Sequence, residues 1–238
     1  MGMGRLSRSL FTFLELAWDA HVWRKGSNGV LPNRWLRRRP ALLSLGVEDD
    51  WPVDIAAGNN HFLILMASSA VLIVGMNCHG QLGVSAATHP FVSFPSRTSI
   101  PRGIAKIAHV ACGGYHSFFI TTSGELYACG SHSYGQLGIG PLMEQTRRSV
   151  HWRRVLLPER DQKIKNVAGG EHHSILLTTS GRVFAAGRNS DGQCGLPQAL
   201  EYSLLFKEVT VPERIEHVVV GLGAAHSCSL LFFVFLAT

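Results

Sequence analysis

The chain has 238 residues, 46% of them hydrophobic and 16% charged, with a formal net charge of +6 at pH 7. That length and composition suffice to bury a substantial core and exclude a disordered chain. Residues 1–40 hold eight Lys/Arg against two Asp/Glu while residues 41–238 hold fourteen of each, so the neutral body is expected to lack the broad basic face of a non-specific nucleic-acid binder.

In chain order, residues 1–50 form an atypical basic segment. Leu6, Leu10, Phe13, Leu14 and Ala17 fall at helical spacing and predict an amphipathic helix packed on the body. Arg5 and Arg8 precede an apolar run, but Glu15 and Asp19 interrupt it and no small-residue cleavage site follows, which argues against a secretory signal. Leu6 occupies the position where myristoylation at Gly2 would need Ser or Thr. "VWRKGSNGVLP" from Val22 is similar to "VFAAGRNSDGQCGLP" from Val183 and suggests a degenerate repeat. The run "RWLRRRP", with Arg34, Arg37, Arg38 and Arg39, is a candidate nuclear-import segment or contact for an anionic surface such as nucleic acid or chromatin, or else a plain basic linker.

From residue 51 the chain repeats itself. "AAGNNHFLILMASSAVLIVGMNCHGQLG" from Ala56, "ACGGYHSFFITTSGELYACGSHSYGQLG" from Ala111 and "AGGEHHSILLTTSGRVFAAGRNSDGQCG" from Ala168 superimpose without a gap, at periods of 55 and 57 residues. His61, His116 and His173 lie fourteen residues before Gly75, Gly130 and Gly187, which lie five before Gly80, Gly135 and Gly192. Length variation is confined to the connections, as expected when each copy is one structural unit. The repeats span about 55–83, 110–138, 167–195 and 219–230, the last opening at "VGLGAAHSCSLL" with His226.

Each copy reads as strands. "HSFFITT" and "HSILLTT" are apolar runs rich in aromatic, β-branched and Thr residues, each followed by a Ser-Gly hairpin signal and a second run, and "IAKIAHVAC" and "IKNVAGG" supply strands before them. Gly124 and Gly181 are expected at positive φ in the hairpins. Ser69 replaces that glycine in copy one, so its turn is expected to differ. Gly58, Gly113, Gly114, Gly169 and Gly170 stand where tight bends are expected, and the pairs Gly80/Gly83, Gly135/Gly138 and Gly192/Gly195 frame turns. Tyr115, Tyr134, Cys112 and Cys129 are private to copy two.

Between copies two and three, "RRSVHWRRV" places Arg147, Arg148, Arg153 and Arg154 around His151 and Trp152. It is a candidate contact surface with Trp152 as anchor, the plainer alternative being a solvated strand edge with a packed Trp. The C-terminal stretch 218–238 carries no formal charge and is long enough to cross a bilayer, but its first half opens a repeat, which argues against membrane insertion. Residues 231–238 are off the pattern.

Units of about four strands at this period predict an all-β chain folded as a β-propeller. The combination "ACGGYHS…TTSGELYACGSHSYGQLG" resembles the repeat of the regulator of chromosome condensation family, whose members form seven-bladed propellers; the paired Gly-Gly and spaced Tyr/Trp pattern of kelch repeats does not fit. The resemblance implies an incomplete ring, since seven blades at this period need roughly 400 residues. An open ring invites self-association through exposed edges, capping by the termini, or origin as part of a longer repeat protein; the last is the expectation here.

No catalytic, metal or cofactor site is expected. Equivalent histidines on successive blades diverge around a ring, whereas zinc needs four converging ligands; no phosphate-binding GxxxxGK[ST] occurs; and Ser117 and Ser174 point away from the histidines they follow. Five thinly spread cysteines suggest free thiols in an intracellular protein, cytoplasmic or nuclear. The expected function is a non-catalytic protein-interaction module. The alternative that the resemblance implies is guanine-nucleotide exchange on a Ran-like small GTPase, with a propeller face displacing nucleotide and Mg²⁺.

Overall fold

The computed structural model of the chain describes residues 50–142, 147–158, 162–197 and 199–211, and the backbone of 219–220 and 230–231. The predicted N-terminal helix, the degenerate repeat, Arg34, Arg37, Arg38, Arg39 and His226 lie outside the described residues, as does the tail beyond residue 231.

The three copies fold as three four-stranded antiparallel sheets in simple sequential order: β1 (Pro52–Ala57) to β4 (Phe91–Arg97), β5 (Ile107–Cys112) to β8 (Arg148–Arg154), and β9 (Ile164–Gly169) to β12 (Tyr202–Val209). Within them lie β2 (His61–Met66), β3 (Val71–Met76), β6 (His116–Thr121), β7 (Leu126–Ser131), β10 (His173–Thr178) and β11 (Val183–Arg188). The first strands contact one another in series, β1 with β5 and β5 with β9, so they stand innermost and β4, β8 and β12 form the rim. That is the blade arrangement of a β-propeller. A fourth blade opens with β13 (Val219–Val220), which meets β9 and pairs with β14 (Leu230–Leu231).

The cores lie between the blades. Phe119, on one face of β6, joins Leu63, Leu65, Val71, Ile73 and Leu82 of the first blade; its neighbours Phe118 and Ile120 face the third blade and meet Leu176, Phe184 and Phe206. Both faces of the middle strands are therefore covered, which explains why they read as unbroken apolar runs rather than as alternating ones.

Two local expectations change. Ser69 adopts φ 67° and its N–H bonds the Met66 carbonyl at 2.8 Å, the same closure that Gly124 makes to Thr121 at 2.9 Å and Gly181 to Thr178 at 3.0 Å. The turn in copy one is thus the same turn, with a serine held in the left-handed region. Likewise "RRSVHWRR" is no connection: from Arg148 onward it is β8, the rim strand of the second blade.

The blades have two distinct ends. The turn from first to second strand and the long loop from third to fourth lie at one, here the loop end; the hairpins from second to third strand and the crossings between blades lie at the other, the hairpin end.

Candidate functional site

The repeated histidines form joints between blades. The His61 ring nitrogen Nε2 lies 2.8 Å from Ser117 Oγ of the second blade, and that hydroxyl lies 2.8 Å from the Gln81 carbonyl of the first. One blade further on, His116 Nε2 meets Ser174 Oγ at 2.7 Å and Ser174 bonds the Gln136 carbonyl at 2.8 Å. A carbonyl only accepts, so the serine donates to it and the histidine Nε2–H donates to the serine. Each joint therefore runs out to the next blade and back. Gly58, Gly113 and Gly170 make room for it: a Cβ on any of them would overlap Cε1 of His61, His116 or His173. Their φ values are not positive, so the reason for glycine here is space for the ring rather than a tight bend.

A serine–histidine pair at this distance has the look of a nucleophile and its base, but the polarity is reversed. The serine proton is committed to a peptide carbonyl, and His61, Ser117, His116 and Ser174 are all buried. Burial, with smaller effects from neighbouring histidines, holds the His116 imidazole well below its usual range, and burial holds His173 down at about 4. The rings are neutral joints. Among the described residues no group of three or more His, Cys, Asp or Glu side chains is placed to hold a metal ion.

The "GQLG" turns form a second joint. A Cβ on Gly80 would run into Val150 and Ser149, and one on Gly83 would overlap the Trp152 indole; Gly135 meets Ser203 and Leu204 in the same way, and Gly138 meets Phe206. Each turn is thus pressed against the rim strand of the next blade. Trp152, a candidate contact anchor, is 6% exposed, donates Nε1–H to Thr98 Oγ1 at 3.2 Å and packs on Phe119 at 4.7 Å between centroids. It is a core residue, the packed Trp of the plainer alternative, and not an anchor. Inside the turns, the Gln81, Gln136 and Gln193 carboxamide oxygens accept the backbone N–H two residues back at 2.9, 3.0 and 2.9 Å. Gly192 and Gly195 keep the same positive φ as their counterparts, as do Gly75, Gly130 and Gly187 at the ends of the third strands.

The loop above each turn is held by one polar residue. Asn77 bonds the Val84 and His89 carbonyls and the Leu82 N–H, and Asn189 does the same for Leu196, Leu200 and Cys194. In copy two His132 takes this place: Nε2–H donates to the Gly140 carbonyl at 2.8 Å and Nδ1 accepts from Leu137 N–H at 3.3 Å. Burial lowers its pKa, which keeps Nδ1 free to accept.

With these groups committed to holding blades together, the exposed chemistry lies on the loop end. His79, Tyr115, His172, Tyr134 and Arg188 form a continuous belt over three blades. Tyr115 meets His79 edge-on at 5.1 Å and stacks on His172 at 6.3 Å; His172 meets Tyr134 at 5.1 Å, and the Arg188 guanidinium lies 5.9 Å over the Tyr134 ring. Arg148 flanks the belt by donating to the Cys78 carbonyl at 2.7 Å. Partial burial and the nearby Arg148 charge lower the His79 pKa; burial, partly offset by Glu171, lowers that of His172. Both imidazoles are neutral at pH 7 and present flat, amphipathic rings.

Of the residues private to copy two, the structure brings Tyr115 and Tyr134 into the belt, and buries Cys112 and Cys129 in the core between blades one and two. Burial pushes the Cys112 thiol up to about 12 and the Cys129 thiol well above its usual value, so both are protonated and unreactive. The arginines of "RRSVHWRRV" separate: Arg147 and Arg148 are at the loop end, while Arg153 bonds Ser149 Oγ and Arg154 pairs with Glu125 at 2.8 Å toward the hairpin end. His79, His172 and Arg188 escape a reading of the repeat because they stand at variable positions; their only signal is adjacency to invariant ones.

The regulator of chromosome condensation (RCC1) repeat pattern matches residues 69–120, 123–177 and 180–230, and a second form of it matches 53–81, 107–136 and 164–193. The chain is 32% identical over 203 residues to a probable E3 ubiquitin-protein ligase, HERC6, of Homo sapiens, covering 83% of this chain and 18% of that protein. It is 31% identical over 168 residues to the human X-linked retinitis pigmentosa GTPase regulator (71% and 15%), and 32% identical over 188 residues to the secretion-regulating guanine nucleotide exchange factor of Bos taurus (74% and 38%). The chain thus spans less than two fifths of these relatives. In fold it is similar to yeast RCC1 (Prp20), solved bound to Kap60, with a TM-score of 0.64 at 24% identity over 72% of this chain and 40% of that one. Human WBSCR16 gives 0.60 at 22% identity, over 71% and 42%. By its three matched repeats and the blades they build, the chain belongs to the regulator of chromosome condensation repeat family.

Proposed function

We propose that the chain is a non-catalytic protein-interaction module, the blades being scaffold and their ends the contact surface. The observation that carries this reading is the division of labour among polar residues. The periodic histidines, serines and glutamine carbonyls are sealed inside joints, while the tyrosine, histidine and arginine side chains of the belt are presented on three successive blades. Tyr and Arg are favoured interface anchors because they give large rigid or planar contact area at small entropic loss. Cys78, Cys112 and Cys129 are free thiols, which fits an intracellular setting. Affinity capture with the full chain and with a Tyr115→Ala/Tyr134→Ala/His172→Ala variant tests it. Partners lost from the variant support the reading, and a variant of unchanged stability that keeps every partner sinks it.

A second reading is favoured by two relatives whose names denote a GTPase regulator and a guanine nucleotide exchange factor: the chain acts on a small GTPase. Release of a fluorescent GDP analogue from purified small GTPases should then speed up at micromolar chain. Unchanged release across a GTPase panel would leave only the scaffold role.

A further inference from the structure

The charges of the described residues are unevenly placed in space. Of the twelve described Lys and Arg residues, nine fall in the hairpin half of the blades, against four of the seven described Asp and Glu, Asp50, Asp54, Glu125 and Glu208. Arg97, Arg102, Lys106, Lys163, Lys165 and Lys207 are all exposed there. Lys106 and Lys163 hold equivalent places just before the innermost strands of successive blades: the Thr122 N–H bonds the Lys106 carbonyl and the Thr179 N–H bonds the Lys163 carbonyl. The equivalent residue of the first blade is Trp51, whose carbonyl takes the Ala67 N–H and whose side chain is 51% exposed. On the same end Leu156 is 69% exposed. The loop half carries three cations, Arg147, Arg148 and Arg188, and three acids, Glu171, Asp191 and Glu201.

We infer that the hairpin end docks an acidic, extended segment of a partner protein. The cations supply attraction and steering, and Trp51 and Leu156 supply the apolar anchors that a peptide fills. A phosphodiester backbone has no use for those anchors. The inference rests on the interaction-module reading and assigns partner chemistry to an end that the belt does not occupy.

The test is fluorescence anisotropy of the full chain with three probes: a labelled dodecapeptide alternating Glu and Leu, the same peptide with Gln for Glu, and a labelled 20-base-pair DNA duplex. The Glu peptide should bind, weakening about tenfold between low and physiological salt, and the Gln peptide should not. Lys106→Glu/Lys163→Glu/Lys165→Glu should weaken it by about tenfold or more, and Trp51→Ala by about fivefold. Arg148→Glu/Arg188→Glu at the loop end should change it less than about twofold. Circular dichroism and unfolding midpoints establish that each variant is folded, and the salt and Gln-peptide arms need no variant. Equal binding of both peptides, equal loss from the two ends, or tighter binding of the duplex would overturn the inference. If the peptide fails while the belt variant still loses its captured partners, the docking inference alone falls; if the belt variant loses none, the module reading falls with it.

Discussion

A single histidine per repeat decides how two blades meet. Replacing His116 by Ala removes its bond to Ser174 and leaves a buried void, which should destabilise the chain by about 3 kcal/mol in urea unfolding. Ser174→Ala should cost about 1–2 kcal/mol, and the double variant less than the sum, because the two side chains share one joint. The same burial sets a pH dependence. In the folded chain the His116 and His173 pKa values lie below the ordinary 6.5 of an exposed imidazole, so the unfolded chain binds protons more readily between the two values. Stability is then full above about pH 6.5 and falls as pH drops toward about 4, with about 3 kcal/mol lost through His173 alone. Unfolding midpoints measured from pH 7.5 to 4.5 check the slope; a flat profile would mean that these rings meet water.

Among the elements, legibility followed periodicity. The second and third strands could be read because their glycines, histidine and hairpin recur at fixed spacing, and those positions are where backbone meets backbone or ring. The rim strands could not: "FVSFPSR", "RSVHWRR" and "YSLLFKEV" share no motif common to all three, since each buries few side chains, Val92 in the first, Ser149 and Trp152 in the second, Ser203, Phe206 and Val209 in the third, and most of the rest are exposed. Trp152 is a candidate surface anchor in the sequence, where four arginines surround it, yet the arginines are exposed while the indole turns in over Gly83. Trp152→Ala should therefore cost about 3–5 kcal/mol of stability, measured by chemical denaturation, with loss of binding only through unfolding. The loop belt and the charge segregation were invisible for another reason. Both are made by residues from different blades, and only the stacking of blades places them side by side.

Taken whole, the molecule is a row of near-identical couplings. His61 and His116 reach forward, Ser117 and Ser174 are reached from behind, and the glycine turns of copies one and two receive the next rim strand. Neither half is specific to its present neighbour. Removing residues 113–169, so that Cys112 runs directly into Gly170, should join His61 to Ser174 and seat Phe206 over Gly83, giving a shortened chain that still unfolds cooperatively in denaturant; a chain that aggregates or melts without a transition would show the couplings to be individually fitted. Interchangeable couplings make repeat number a quantity that gene duplication and deletion can change in whole steps, leaving every seam intact while the loops at either end are free to diverge.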